Sequence, residues 1–256
     1  MTTTDGTGRG DPRGAPSLTA VAPPAHGHFE PGLVAHLPEA ARRWLCHAIA
    51  EGTPMWRTAK LEMHGFIRLG RWRYFAAEQT ITPPDRFLWT ARTRMAGLPV
   101  RGYDSYADGR GEMHWRLLGA LPLHSGEGPD VTRSAAGRLA GEAVLVPTAF
   151  ASARWDGCPD PDRVRATWTV GGHEVQVQLH IGHHGELLQL SMLRWGNPDG
   201  RHFGAYPFGV VVEQERRFDG VTIPSRFRAS WWWDTDRQAR GEFFRAQVTA
   251  ARFTMQ

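Results

Sequence analysis

From residue 58 onward the chain reads as a succession of short runs rich in aromatic and branched side chains, most of them ended by a break of a few residues. Breaks that short can join only antiparallel neighbours, because a parallel pair needs a crossover of about a dozen residues. The runs span approximately 58–69, 72–82, 86–96, 99–107, 110–122, 163–170, 173–181, 186–195, 208–218, 221–233 and 242–253. They amount to about eleven strands. Leu69-Gly70-Arg71, Asp108-Gly109, Gly171-Gly172, His183-His184-Gly185 and Asp219-Gly220 supply the turns, since glycine adopts the positive φ that tight hairpins need. In VQVQLHI, Val175, Val177, Leu179 and Ile181 point one way while Gln176, Gln178 and His180 point the other. Such a strand has one dry and one wet face.

Two helical patterns interrupt the strands. Leu33, Leu37, Ala41, Trp44, Leu45, Ala48 and Ile49 recur at three- and four-residue spacing, with Pro38 at an early helical position and Gly52 as a terminal cap. The second starts at a Ser134 cap, carries the stripe Leu139, Ala143 and Val146, and stops at Pro147. The fold class that follows is mainly β (α+β). A single large, strongly curved antiparallel sheet, an incomplete barrel, wraps around two helices. Residues 1–30 hold almost no large apolar side chains and read as a disordered N-terminal tail. A single domain then spans 31–256.

Composition narrows the function. Of 256 residues 41% are hydrophobic and 22% charged, with net charge +4, which suits a globular core rather than a disordered chain. Lys60 is the only lysine. The arginines are spread through strands and loops beside acids instead of clustering on one face, so nucleic acid is not the expected partner. No run reaches the roughly 18 apolar residues of a membrane span, and MTTTDGTGRGDPRG lacks a signal-peptide plan. A cytoplasmic location is expected, with Cys46 and Cys158 as free thiols.

Signatures for a serine nucleophile elbow, a zinc-protease helix, a paired-cysteine metal site or a phosphate loop are absent. His173, His180, His183 and His184 lie close together, but without regular ligand spacing, and read as solvated turn histidines. Neither a metal nor a cofactor is expected. GYDSYADGRGEM, residues 102–113, is more informative. In a strand Asp104 and Tyr106 share a face, so a carboxylate and a phenol point together. Burial would raise the pKa of Asp104 and an arginine partner would lower it. Arg138 and Glu142 lie four apart on the second helix and project together. Asp104, Glu142, Arg138 and Tyr106 are therefore the candidate catalytic residues. The competing reading is a structural network tying helix to sheet through Asp104, Arg92 or Arg94, Arg138 and Glu142. Eleven tryptophans, several in strands, suggest rings lining an apolar cavity. Trp89, Arg92, Trp115, Trp195, Phe208 and Trp232 are the candidate ligand-binding residues, Trp232 as part of a Trp231–Trp233 strand that alternates faces.

The ordered series LPEAARRWL, GFIRLGRWRYFAAEQ, FLWTAR, DSYADGRGEM, RLAGEAVLVPTAF and FDGVTIPSRF resembles a large, chiefly actinobacterial family known only as a domain of unknown function. The resemblance covers about residues 33–253. The family in turn resembles the LolA/LppX lipoprotein-carrier fold, which implies an incomplete barrel whose concave side is plugged by helices around an apolar cavity. Its recurrent positions correspond here to Asp104, Tyr106, Gly109, Gly111, Arg138, Glu142 and Pro147. This chain has Tyr206-Pro207-Phe208 where the family tends to have a Pro-Trp pair. The resemblance implies no particular activity. Two functions follow: binding of an apolar or amphipathic small molecule in the half-barrel, or cofactor-free acid–base catalysis of a cyclase, isomerase or hydrolase type on a hydrophobic intermediate. The expected assembly is a monomer or weak homodimer.

Overall fold

The computed structural model describes residues 27–255. Six strands come first: β1 (Thr58–Leu69), β2 (Arg71–Thr82), β3 (Arg86–Met95), β4 (Leu98–Ala107), β5 (Arg110–Leu117) and β6 (Leu121–Gly126). After the helical middle come β7 (Arg154–Gly157), β8 (Arg163–Val170), β9 (His173–Ile181), β10 (Leu187–Gly196), β11 (Gly204–Phe218), β12 (Val221–Trp231) and β13 (Glu242–Thr254). All thirteen form one antiparallel half-barrel sheet in the order β6-β5-β4-β3-β2-β1-β13-β12-β11-β10-β9-β8-β7. Each wing is a meander, and the β1–β13 ladder joins them, running from Thr58↔Thr254 to Ile67↔Phe244.

Thirteen strands replace the eleven expected. The run 110–122 is two strands, because Leu118 and Gly119 both take positive φ and turn the chain back. The four-residue β7 is too short to show alternation. Helix α1 is Glu39–Ala48, with Pro38 at its N-cap. Leu33 belongs instead to a separate 3₁₀ turn at Pro31–Val34. The α1 C-cap is Ile49, and Gly52 lies in the turn beyond. Helix α2 begins five residues before Ser134 and spans Pro129–Glu142. Gly128, at φ 101°, reverses the chain and Pro129 supplies a preset first turn. Pro147 opens a 3₁₀ segment, Pro147–Ser152, rather than ending α2.

The core lies between the sheet and these helices. Helix α1 buries Ala40, Ala41, Trp44, Leu45 and Ala48, with Trp44 edge-on to Phe150 at 4.9 Å. Fully burying each large side chain is worth about 1.5–3 kcal/mol. Phe29 is 1% exposed and His28 bridges to Pro54, so the folded part includes residues expected in the tail. The rest of the expected tail, residues 1–26, lies outside the described residues. Across the concave side the wings meet at their turns. A Cβ on Gly171 would fall 1.9 Å from the Tyr106 hydroxyl and 3.7 Å from the Gly109 Cα.

Candidate functional site

Helix α2 owes its position to small residues. A Cβ on Gly111 of β5 would meet the Ala135 Cβ at 2.7 Å and the Thr132 Cα at 2.8 Å, so only glycine lets helix and strand approach this closely. The Gly111 amide also donates to the Thr132 hydroxyl at 3.0 Å. On the other side of the helix, Gly137 and Gly141 face Met192 of β10.

This seating lays Arg138 over the sheet. Its Nη1 donates to Asp104 Oδ2 at 2.8 Å and its Nε to Glu142 Oε1 at 2.7 Å. Trp115 Nε1 donates to the other Asp104 oxygen at 3.2 Å, and Gln79 Nε2 to the other Glu142 oxygen at 2.6 Å. The guanidinium also lies over the rings of Phe87 at 4.8 Å and Trp89 at 5.1 Å, where a desolvated cation gains from the ring quadrupole. Burial pushes the Asp104 pKa up, and Arg138 and Trp115 pull against it. For Arg138, burial opposes the charge, but Glu142 and Asp104 outweigh it and hold the pKa above the ordinary arginine value.

All four carboxylate oxygens are thus engaged, and neither cavity described below is lined by Asp104, Arg138 or Glu142. Tyr106 shares the Asp104 face, as the alternation required, yet stands outside the network. Its hydroxyl is buried without a partner among the described residues, and burial raises its pKa. Arg92 and Arg94 are on the opposite, helix-free face of β3 and are exposed. The missing fourth member of the network is Gln79, only 3% exposed.

A break in the sheet provides the second feature. Strands β9 and β10 pair at Ile181↔Leu187, His180↔Gln189, Leu179↔Leu190 and Gln178↔Ser191, and no further. Beyond those pairs β9 stays laddered only to β8 and β10 only to β11. Residues 173–177 and 192–196 therefore part, leaving a cleft of about 600 Å³, within the usual ligand-site range of roughly 300–1,000 Å³. Val175, Met192, Leu193, Trp195, Phe208 and Trp233 supply its apolar lining, and Arg133, Glu174, Gln176 and Gln178 its polar lining. Helix α2 backs the opening: Arg133 stacks on Trp195 at 3.9 Å, and Trp195 Nε1 donates to Asp130 at 2.9 Å.

The predicted ligand-binding residues are therefore divided. Trp195 and Phe208 line the cleft. Trp89 and Trp115 belong to the aromatic packing around Arg138, their rings 5.9 Å apart. Arg92 lines a separate groove of about 850 Å³ on the helix-free face, with His64, Tyr74, Arg101 and Tyr103. The expected Trp231–Trp233 strand ends at Trp231. Trp232 takes φ 54° and lies under Arg237 at 3.9 Å, while Trp233 folds over Gly209 to reach the cleft. Sequence reasoning missed Arg194, which lies beside the cleft.

Residues 27–243 match the model of a family described as a family of unknown function (DUF6544). The chain belongs to that family. No curated protein matches it. Two solved structures are similar to this DUF6544 chain. One, described as an outer membrane lipoprotein-sorting protein domain from Vibrio parahaemolyticus, has a TM-score of 0.40 and 7% identity, covering 78% of this chain and 86% of that one. The other, a LolA superfamily protein from Nitrosomonas europaea, has a TM-score of 0.37 and 8% identity, covering 84% and 92%. At these TM-scores the likeness says nothing about what the DUF6544 chain binds. Among its described residues no cluster of three or more His, Cys, Asp or Glu could hold a metal, and no helix is long and apolar enough to cross a membrane.

Proposed function

We propose that the protein binds an amphipathic small molecule, taken up through the cleft between β9 and β10. The observation that carries this reading is the parting of two strands that remain ordered and laddered on their outer sides. A sheet gains by completing its ladder, and edges left open inside it are a liability unless something occupies them. The lining suits a ligand with a carbon body and a polar end, bound mainly by burial of apolar surface against Trp195, Phe208 and Met192. We place this activity in the cytoplasm, where the unpaired state of Cys46 and Cys158 is the one a reducing compartment maintains. Acid–base catalysis by Asp104 or Glu142 would need a free oxygen facing an opening, and their oxygens are taken up by Arg138, Trp115 and Gln79.

Calorimetric titration with decanol tests the reading. Saturable one-to-one binding is expected in the wild type and should be lost in Val175→Trp, which fills the cleft from the unladdered part of β9. No saturable binding, or equal affinity in the filled variant, would remove the cleft as the site.

A further inference from the structure

Arg194 lies in the part of β10 that has left β9. Its register partner is Tyr206, and two residues away Met192 packs on Gly137 and Gly141 of α2, so the Arg194 side chain points to the helix-covered face. There its guanidinium stacks over Phe208 at 4.8 Å and Trp231 at 5.2 Å. The Cγ is 3.5 Å from where a Gly137 Cβ would be. No hydrogen-bond or ion-pair partner faces the Arg194 side chain among the described residues; its Nε is shielded from solvent, while the residue as a whole is half-buried.

A guanidinium carries five donors in a fixed fork, and here Nε is shielded without an acceptor while the half-buried remainder leaves the other donors free to meet an incoming anion. Burial, and then the nearby charge of Arg138, push the Arg194 pKa down to about 10, against the supporting field of Glu142 and Asp104. Those two acids cannot serve Arg194 directly, since Arg138 already holds both. Phe208, Met192 and Gly137, which all line the cleft, are also the residues that touch or flank Arg194. One ring separates the cation from the proposed binding site.

We infer that Arg194 is the anchor for an anionic headgroup, a carboxylate, on the amphipathic ligand. The inference rests on the proposed binding role of the cleft and specifies which end of the ligand enters first. A carboxylate fits better than a phosphate dianion, because its two oxygens match the guanidinium fork while the nearby Asp104 and Glu142 would repel a second negative charge. A carboxylate accepts two parallel hydrogen bonds from the guanidinium fork, and Phe208 and Trp231 flank the pair with apolar surface.

Parallel titration with decanoate and decanol, identical but for the head, reads this directly. Wild-type protein is expected to bind decanoate about tenfold or more tightly than decanol, the gain of one charge-assisted bidentate pair. In Arg194→Met the two probes should bind equally, with decanol affinity changed less than about threefold. Arg194→Lys should keep part of the preference, since lysine retains the charge but loses the fork, and it decides the matter if the methionine variant does not fold. Equal binding of both probes to the wild type, or an undiminished preference in Arg194→Met or Arg194→Lys, would overturn the anchor while leaving the cleft as a binding site. Failure of both probes to bind would overturn the cleft and the anchor together.

Discussion

Arg138 and Arg194 both present a guanidinium to aromatic rings on the helix-covered face of the sheet, and their surroundings are otherwise opposite. Arg138 has two carboxylates at 2.7 and 2.8 Å, whereas Arg194 has no acceptor among the described residues and its Nε is shielded from solvent. The difference follows the sheet. On the Arg138 side every strand from β1 to β5 is laddered to its neighbours, and Gly111 brings α2 into backbone contact. On the Arg194 side the ladder parts and α2 makes ordinary contacts with side chains. One wing spends its polar groups on fixing the helix; the other leaves a charge and a cleft for something else.

The comparison breaks first at the glycines. Gly111→Val places methyl groups where the α2 backbone already lies, and overpacking with helix displacement should cost about 3 kcal/mol or more. Gly137→Ala meets only the Arg194 Cγ at 3.5 Å and the Met192 Cε at 3.7 Å, and helix propensity favours alanine by up to about 1 kcal/mol. Urea denaturation should therefore show a large loss for the first and a change within about 1 kcal/mol for the second. Similar losses in both would mean that α2 is seated alike on the two wings.

The next largest contrast is electrostatic. Asp104→Asn takes one carboxylate from Arg138, which with the Asp104 side chain 20% exposed should cost about 2–3 kcal/mol of stability, somewhat less than a fully buried pair. Arg194→Met removes a charge that has no partner among the described residues and should leave stability unchanged or raise it by up to about 1 kcal/mol. The same urea series reads both, and a destabilised Arg194→Met protein would show that an acceptor satisfies Arg194 in the folded state.

Period-two patterning and glycine turns made the strands legible, because both are local. The two extra strands escaped because β7 is four residues long and the β5–β6 turn contains Leu118, which has no turn chemistry of its own yet takes positive φ. The Asp104–Arg138–Glu142 contact was legible from strand parity and helical spacing. Gln79 and Arg194 were not, although each carries the same signal: a polar residue inside an otherwise apolar row, Phe75-Ala77-Gln79-Ile81 in β2 and Leu190-Met192-Arg194 in β10. As a partner in the Arg138 network Arg92 was misplaced, because the same parity argument was not applied to β3, where Phe87, Trp89 and Ala91 face inward and Arg92 outward. The parting of β9 from β10 leaves only a faint local mark, since β9 keeps its alternation throughout and β10 loses it only at Arg194 and Trp195.

The smallest effect lies at the laddered end of the β9–β10 pair, opposite the cleft. His47 Nε2 is 2.8 Å from Glu215 Oε2, and the other Glu215 oxygen accepts the Leu187 amide at 3.2 Å, so this cluster ties α1 to the start of β10. The hydrogen bond to Glu215 raises the His47 pKa above 6.5, with burial and Arg217 opposing and the charges of Glu215 and Glu186 supporting it. A histidine whose pKa rises on folding favours the folded state when protonated. Its contribution is complete below about pH 6.5 and fades as pH rises through the higher folded value. With the His47 side chain 30% exposed, solvent screening keeps the contribution below about 1 kcal/mol. Urea midpoints measured between about pH 6 and 8 should fall slightly with pH in the wild type and lose that slope in Glu215→Gln. Amide exchange at Leu187 should quicken over the same range, while the amides of residues 192–196, beyond the β9 pairing, stay unaffected. A slope that survives Glu215→Gln would place the titrating group elsewhere and detach the closed end of the ladder from His47.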